Sequence, residues 1–202
     1  SLVEIDISAN ELEASPSVSM DESYCLSLAE GVIALSSNTV WGALRGLATL
    51  AQLARHGQLL AGLTIDDNPR FPWRGLVLDV ARHFFPVQSL MSVIDGLAAL
   101  KMNVLHLHLS DDQAFRFPSA AFPKLASDEH YCKDELHDFV RYAADRGVRV
   151  IPELDMPGHV TSWLTAYPEW GSEPTIPSRR FGVHEACLNP LDEKVYNAIA
   201  IL

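Results

Sequence analysis

Three apolar segments, each ending in charged and imidazole side chains, limit what this chain can fold into. Gly75 to Val80, Asn103 to Leu109 and Val148 to Leu154 have the length and residue types of buried strands. The apolar residues between successive strands have helical spacing; they are Leu90, Val93, Ile94 and Leu97, then Leu136, Phe139, Val140 and Ala143. This alternation predicts an α/β fold with parallel strands, of the kind that closes into a barrel.

The ends of these elements are also visible in the sequence. Pro86 suits the first position of the first helix, where its fixed φ fits and no amide donor is needed. Gly147 is placed to end the second helix. A long polar and proline-rich loop is expected from Met156 to about Asp192, where a last helix begins. The pattern predicts three strands and no fourth.

The residues before these strands have a different pattern. Alternating apolar residues near the N-terminus are typical of a half-buried strand; they are Val3, Ile5 and Ile7. Tyr24 to Leu28 and Val32 to Leu35 are expected to pair as a hairpin around the turn Ala29-Glu30-Gly31. A helix should follow from about Thr39 to a stop at Gly57; its apolar stripe is Leu44, Leu47, Ala48 and Ala51.

A run of paired acids and prolines, Asp66 to Pro72, interrupts the periodicity between the two patterns. We therefore predict two domains. Residues 1–65 form a small α+β domain without a cluster of catalytic groups, and residues 66–202 hold the strand–helix repeats.

Composition excludes several classes of function. The chain is 48% hydrophobic and 20% charged, which is enough for a folded core, and no apolar run is long enough to span a bilayer. The formal net charge is −11 without any Lys/Arg cluster, so we expect neither nucleic acid nor an anionic membrane as a partner. Three scattered cysteines match no metal-finger or redox spacing, and we expect no cofactor.

Six polar side chains come directly after the three strands of the repeat. Because the carboxyl ends of parallel strands lie at one edge of the sheet, these side chains should meet on one rim; they are Arg82, His83, Asp111, Asp112, Asp155 and His159. Each also has a simpler explanation. Arg82 can neutralise Asp79. Asp111 and Asp112 can form a turn or cap a helix, and His159 can have its hydrogen bonds satisfied within its own loop.

Two histidines within the middle strand allow another interpretation. His106 and His108 are two residues apart and therefore point to the same face of the strand. With Asp111 they could hold a metal ion, although a hydrogen-bonded relay between the histidines and the carboxylates is favoured over a metal site.

The chain resembles the retaining β-N-acetylhexosaminidases and chitobiases of glycoside hydrolase family 20. The matching stretches are DESYCLSL, NTVWGALRGLATLAQL, NPRFPWRGLVLDVARHFFP, KMNVLHLHLSDDQAFRF, FPKL, RGVRVIPELDMPGHVTSW and GSEP. The resemblance implies that residues 1–65 are the family's non-catalytic α+β domain. It also implies that residues 66–202 are the first part, about three βα units, of its TIM (β/α)8 barrel.

The resemblance also implies roles for single residues. Arg82 would hydrogen-bond ring hydroxyls of the terminal sugar, and Asp111 with His159 would support the general acid. Asp155 and His108 would belong to the same substrate-binding network. The implied substrate is a glycan with terminal N-acetylglucosamine or N-acetylgalactosamine. Its own acetamido carbonyl replaces an enzyme nucleophile.

One departure from the family is large. Its catalytic acid and acetamide-orienting carboxylate are an adjacent Asp-Glu after the fourth strand, in a Gly-Gly-Asp-Glu context that is absent here. The Asp-Glu pairs present follow no apolar strand; they are Asp21-Glu22, Asp128-Glu129, Asp134-Glu135 and Asp192-Glu193. We therefore expect an N-terminal piece of the enzyme, inactive alone.

Two other classes of function compete with this expectation. One is a carbohydrate-binding module without catalysis, and the other is a metal-dependent hydrolase that uses the histidines and Asp111. The resemblance further implies a secreted, periplasmic or lysosomal enzyme, with any signal peptide removed ahead of Ser1, and a possible homodimer.

Overall fold

The computed structural model describes residues 2–8, 15–29, 31–59 and 61–202. They form two compact units. One comprises Ser1–Gly75, Ser92–Val104 and Arg141–Arg149, and the other comprises Leu76–Met91, Leu105–Val140 and Val150–Leu202. The domain boundary between residues 65 and 66 stays a prediction. No described helix has the length and apolarity that crossing a bilayer requires.

The first unit contains a four-stranded sheet in the order β1-β3-β2-β4. Its strands are β1 (Leu2–Ile7), β2 (Tyr24–Ala29), β3 (Val32–Ser37) and β4 (Leu63–Asp67). β2 and β3 pair antiparallel, with Leu28 opposite Ile33, so the predicted hairpin is confirmed. Of its turn, Glu30 lies outside the described residues, and Gly31 has a φ of +86°, which favours glycine.

Two expectations for this sheet were wrong. All six residues of β1 are exposed, so this strand is not half-buried. It lies at the edge of the sheet, next to β3. The apolar cluster on this sheet consists of side chains from β2, β3, β4 and the helix Val40–Arg55. The sequence analysis also missed β4, whose only apolar residues are Leu63 and Ile65 and which includes the two acids at the predicted boundary.

Helix α1 (Val40–Arg55) begins and ends where the sequence predicts. The Thr39 side chain accepts a hydrogen bond from the Gly42 amide, and Gly57 takes a φ of +66°. The buried face differs from the predicted stripe, since Leu47 is 37% exposed while Gly42 and Gly46 are buried. A Cβ on Gly42 would lie 2.1 Å from the Ser23 carbonyl oxygen, so glycine allows the close approach that defines this face.

A buried carboxylate organises the polar contacts of the first unit. Glu22 is 3% exposed and receives hydrogen bonds from Arg45 Nε and Arg74 Nη2, both at 2.6 Å. Asn103 Nδ2 donates to its second oxygen at 3.1 Å. Arg45 also donates to the Gly147 carbonyl at 2.7 Å. The charge of Glu22 is thus fully paired, as a buried ion requires.

The strand–helix repeat is confirmed to within about one residue at each strand end. Its elements are β5 (Gly75–Asp79), α2 (Val87–Ala99), β6 (Val104–Ser110), α3 (Lys133–Ala144) and β7 (Arg149–Leu154), and the sheet order is β5-β6-β7. Near the start of β5 the Arg74 carbonyl accepts from the Asn103 amide, and beyond its end the Val80 amide donates to the His108 carbonyl. Residue numbers therefore increase in the same direction along both strands, so β5 and β6 are parallel.

Burial within the repeat follows the predicted stripes only in part. Leu90, Ile94 and Phe139 are fully buried, but Val140 is 48% exposed. β5 was expected to be buried, yet Val77 is 60% exposed, because β5 is an edge strand of the described sheet and lacks a neighbour on one side.

The long loop after β7 is more ordered than the sequence indicates. It contains α4 (Thr161–Ala166), which the sequence analysis missed because six residues are too few to show a helical period. Trp163 of α4 is buried and packs edge-on against Phe115 at 5.2 Å between ring centroids. The predicted last helix is confirmed as α5 (Glu193–Ile201), capped by the Asp192 side chain.

Alanine at two helical glycines should change stability in opposite directions. Gly42→Ala places a methyl group against the Ser23 carbonyl and should destabilise the fold by about 1–3 kcal/mol, the usual cost of overpacking. Gly96→Ala in α2 meets nothing within 4 Å and should stabilise it by about 0.5–1 kcal/mol through helix propensity. Urea unfolding of both variants checks this; a stabilised Gly42→Ala protein would contradict the close approach.

Candidate active site

The polar residues after β5, β6 and β7 meet around one carboxylate, that of Asp111. Its side chain is fully buried. Oδ2 lies 2.6 Å from Arg82 Nη2 and 2.8 Å from His108 Nε2, while Oδ1 lies 3.2 Å from His159 Nδ1 and accepts the Asp112 amide at 2.7 Å. The predicted convergence of the strand ends is thus seen directly for these residues.

Arg82 is held between two carboxylates. Its Nη1 donates to Asp79 Oδ2 at 2.7 Å, and Asp79 Oδ1 accepts the backbone amides of Ala81 and Arg82. Burial lowers the pKa of Arg82, but the hydrogen bond that Arg82 donates to Asp79 and the charge of Asp111 outweigh it and raise the pKa above its ordinary value. The simple explanation, in which the guanidinium only neutralises Asp79, is therefore incomplete. The Nη2 atom of Arg82 also contacts Asp111, which directly follows β6.

His108 connects Asp111 to a second acid. Its Nδ1 lies 2.9 Å from Glu153 Oε1, and the other oxygen of Glu153 lies 2.6 Å from His106 Nε2. Burial disfavours the charged form of His108, but Asp111 and Glu153 accept hydrogen bonds from its ring and together raise its pKa. The relay expected from the spacing of the two histidines is present, with Glu153 as the link between them.

His159 reaches Asp111 from an unusual backbone conformation. Its φ is +56°, in the left-handed region that non-glycine residues seldom occupy. The ring lies 3.2 Å from Asp111 Oδ1 and 3.4 Å from Asp112 Oδ2. Backbone strain of this kind persists where the surroundings fix the residue, and it is common at functional sites.

Asp112 and Asp111 have different surroundings. Asp112 Oδ1 accepts the amide of Thr161 at 3.1 Å and its hydroxyl at 2.6 Å, so this aspartate caps the start of α4. The helix-capping explanation therefore holds for Asp112. It does not hold for Asp111, whose oxygens face Arg82 and the two histidines.

Asp155 adjoins the same cluster without a direct hydrogen bond to Asp111 among the described contacts. Its backbone amide donates a hydrogen bond to the Ser110 hydroxyl oxygen at 3.0 Å. Potential ligand atoms lie within 4.8 Å of one another in two sets, His108 with Glu153 and Asp155, and Asp111 with Asp155 and His159. Neither set includes His106. Both nitrogens of His108 already contact carboxylates, so a metal there would have to displace existing hydrogen bonds.

His83 does not join the cluster by any polar contact described for it. Its ring packs edge-on against Phe85 at 4.7 Å between centroids. It borders a cavity of about 460 Å³ that Arg82 also lines. Sequence reasoning missed Glu153, although the period of two in β7 places it on the same face as Asp155 and could have revealed it.

Sequence profiles match both parts of the chain. The profile "Glycosyl hydrolase family 20, catalytic domain" matches residues 71–202, well over half of the chain, and "beta-acetyl hexosaminidase like" matches residues 1–53. The chain belongs to glycosyl hydrolase family 20. The resemblance that the sequence motifs indicated is confirmed.

The chain is similar to several family 20 proteins. The β-hexosaminidase subunit beta of Rattus norvegicus is 44% identical over 163 residues, which cover 76% of this chain and 30% of the relative. The Entamoeba histolytica subunit beta is 36% identical over 99% of this chain and 39% of its own length. The chain thus spans well under half the length of these relatives.

Solved structures of the family support the predicted fold class. Flavobacterium johnsoniae chitobiase matches with a TM-score of 0.87 and 39% identity, over 98% of this chain and 31% of that protein. A mutant Streptomyces plicatus β-hexosaminidase in complex with the product GlcNAc matches with a TM-score of 0.84 and 30% identity, over 98% and 43%. The α/β fold, with the opening units of a TIM barrel, is confirmed.

The raised pKa of His108 should be measurable by NMR. Its ring should titrate above the ordinary value of 6.5, and Asp111→Asn should lower the midpoint because one acceptor loses its charge. Because the folded-state pKa is raised, protonated His108 stabilises the fold fully below about pH 6.5, and this contribution disappears as the pH rises through the raised value. Asp192→Asn, which removes the cap of α5, is the control and should leave the His108 midpoint unchanged.

Proposed function

We propose that this chain supplies part of the active site of a β-N-acetylhexosaminidase. The reaction is hydrolysis of terminal, non-reducing β-linked N-acetylhexosamine with retention of configuration. The observation that carries the proposal is the buried Asp111, which contacts Arg82 on one side and His159 on the other. The family's glycoside hydrolases and the GlcNAc complex of the Streptomyces plicatus relative support it.

Arg82 is proposed to bind ring hydroxyls of the terminal sugar. A guanidinium presents several N–H donors in one plane, which suits two neighbouring hydroxyls. The Arg82 side chain is 29% exposed, so it is accessible to a ligand although Asp79 and Asp111 hold two of its nitrogens. Its Nε is buried and has no hydrogen-bond partner among the described residues. The two acids thus fix the direction of the fork before a sugar arrives.

Asp111 and His159 are proposed to support the general acid. A carboxylate in contact with one nitrogen of an imidazole orients the ring, and the other nitrogen can then hydrogen-bond a neighbouring glutamate. His159 is 38% exposed at its side chain, so one edge of its ring is open to a further group. His108, whose other nitrogen contacts Glu153, would hold the Asp111 carboxylate in position, and Asp155 is proposed to belong to the same network.

The nucleophile in this proposal is the acetamido oxygen of the substrate. It attacks the anomeric carbon as the leaving group is protonated, and water then opens the bicyclic intermediate, so the configuration is retained. The acid and the carboxylate that orients the acetamide are assigned to an Asp-Glu pair outside these 202 residues. The Asp-Glu pairs within the chain include Asp192-Glu193, which caps and opens α5, and Asp134-Glu135, which lies in the first turn of α3.

A metal-dependent hydrolase is the second candidate, because two groups of three ligand-type side chains share Asp155. A binding module that keeps Arg82 without catalysis is the third. Secretion or a lysosomal location and a homodimer remain predictions for the enzyme that contains this chain.

An active enzyme that contains this chain should distinguish substrates by the acetamide. It should release the aryl group from a β-N-acetylglucosaminide at least about a hundredfold faster than from the corresponding glucoside, because the latter lacks the nucleophile. A chelator should leave both rates unchanged. Equal rates on the two sugars would contradict substrate assistance, and loss of activity that added metal restores would favour the metal candidate.

Residues 1–202 alone should show no turnover of the same β-N-acetylglucosaminide. The proposed site lacks its acid, and β5 and β7 are edge strands of an open sheet that would expose unpaired backbone groups. The measurement is an aryl-glycoside assay on the purified chain, with N-acetylglucosamine binding followed by calorimetry. Turnover that survives replacement of each Asp-Glu pair in turn would show that the acid has been assigned wrongly.

A further inference from the structure

The segment that carries Arg82 has no regular secondary structure. Residues 80–86 lie between the end of β5 and the start of α2. The direction of the Arg82 guanidinium therefore depends on contacts that hold this segment from outside. Asp79 supplies one of them, through the amides of Ala81 and Arg82.

Arg116 holds the same segment by its carbonyl groups. Its Nε donates to the Val80 oxygen at 2.9 Å and its Nη2 donates to the Ala81 oxygen at 3.0 Å. Its Nη1 donates to the Glu129 carbonyl. The first two carbonyls belong to the two residues directly before Arg82. A planar fork with donors in fixed directions can bind both of them, whereas a lysine ammonium cannot match that geometry.

Arg116 is itself fixed in position. Only 7% of it is exposed, and its amide donates to the Leu109 carbonyl of β6 at 2.8 Å. Its guanidinium lies 5.3 Å from the centre of the Phe84 ring. The buried Tyr131 links Arg116 to the same segment. Its amide donates to the Arg116 carbonyl at 3.1 Å, and its hydroxyl donates to the Phe85 carbonyl at 2.7 Å.

We propose that Arg116 is a positioning residue for Arg82. By binding the carbonyls of Val80 and Ala81, it fixes the backbone from which the sugar-binding guanidinium reaches Asp79 and Asp111. The proposal rests on the proposed role of Arg82 in sugar binding. Arg116 borders the same cavity as Arg82, but its three bonded nitrogens all face carbonyl groups of the protein. It acts through Arg82 and needs no contact with the substrate.

A double-mutant cycle tests this in an active enzyme that contains the chain. Arg116→Lys and Arg82→Lys should each raise KM for an aryl β-N-acetylglucosaminide about tenfold or more, with a smaller change in kcat. The double variant should resemble Arg82→Lys, because Arg116 has nothing left to position. An unchanged KM for Arg116→Lys, or single-variant effects that multiply in the double variant, would overturn the proposal.

A matched control and a second measurement separate positioning from stability. Arg146→Lys removes an arginine that pairs with Asp95 and should leave KM unchanged. In the NMR spectrum of the same enzyme, Arg116→Lys should shift the Arg82 Nε signal, while Arg146→Lys should not. An Arg82 signal that stays in place in Arg116→Lys would refute positioning even if that variant is less stable.

The same experiments separate this proposal from the proposed function. If Arg82→Lys leaves KM unchanged, the sugar-binding role of Arg82 is wrong. The Nε signal then still decides whether Arg116 orients it. If Arg82→Lys raises KM and Arg116→Lys does not, only the positioning role fails.

Discussion

The burial of the Asp111 carboxylate is the constraint on which the rest of the site depends. A charged group removed from water costs several kcal/mol unless partners restore what the solvent supplied. Here Arg82, His108, His159 and the Asp112 amide surround the two oxygens. Arg82 follows β5, His108 and Asp112 lie in or directly after β6, and His159 follows β7. Removing Asp111 would therefore release the residues of three strand ends at once.

The partners of Asp111 are in turn held by further hydrogen bonds, several of which involve the backbone. Arg116 and Tyr131 bind backbone carbonyls on either side of Arg82, and Ser162 donates to the carbonyl of Asp111 itself at 2.7 Å. Glu153 fixes the second nitrogen of His108. Part of the geometry of the charged centre thus rests on backbone carbonyls, which remain neutral acceptors whatever the protonation state of the site.

The sequence predicts the strand ends well and the surroundings of those ends poorly. β5, β6 and β7 show their position because apolar runs stop at charged residues, and the parallel arrangement then brings Arg82, Asp111 and His159 together. Leu47 of α1 and Val77 of β5 were expected to be buried but are exposed. The period of an apolar pattern does not show on which side another helix or strand packs. Glu153 and Arg116 went unnoticed because their partners are distant in sequence. Those of Glu153 are two histidine side chains, and those of Arg116 are backbone carbonyls.

A second buried acid, Glu22 of the first unit, is also stabilised by pairing with arginine. Glu22, like Asp111, is held by an arginine at 2.6 Å, and it adds a second arginine and an amide where Asp111 has imidazoles. The difference matters chemically. Arginines stay charged across the working pH range, so the arginine partners of Glu22 keep a constant charge. Imidazoles can gain or lose a proton near neutrality, so Asp111, unlike Glu22, has partners whose charge can change there.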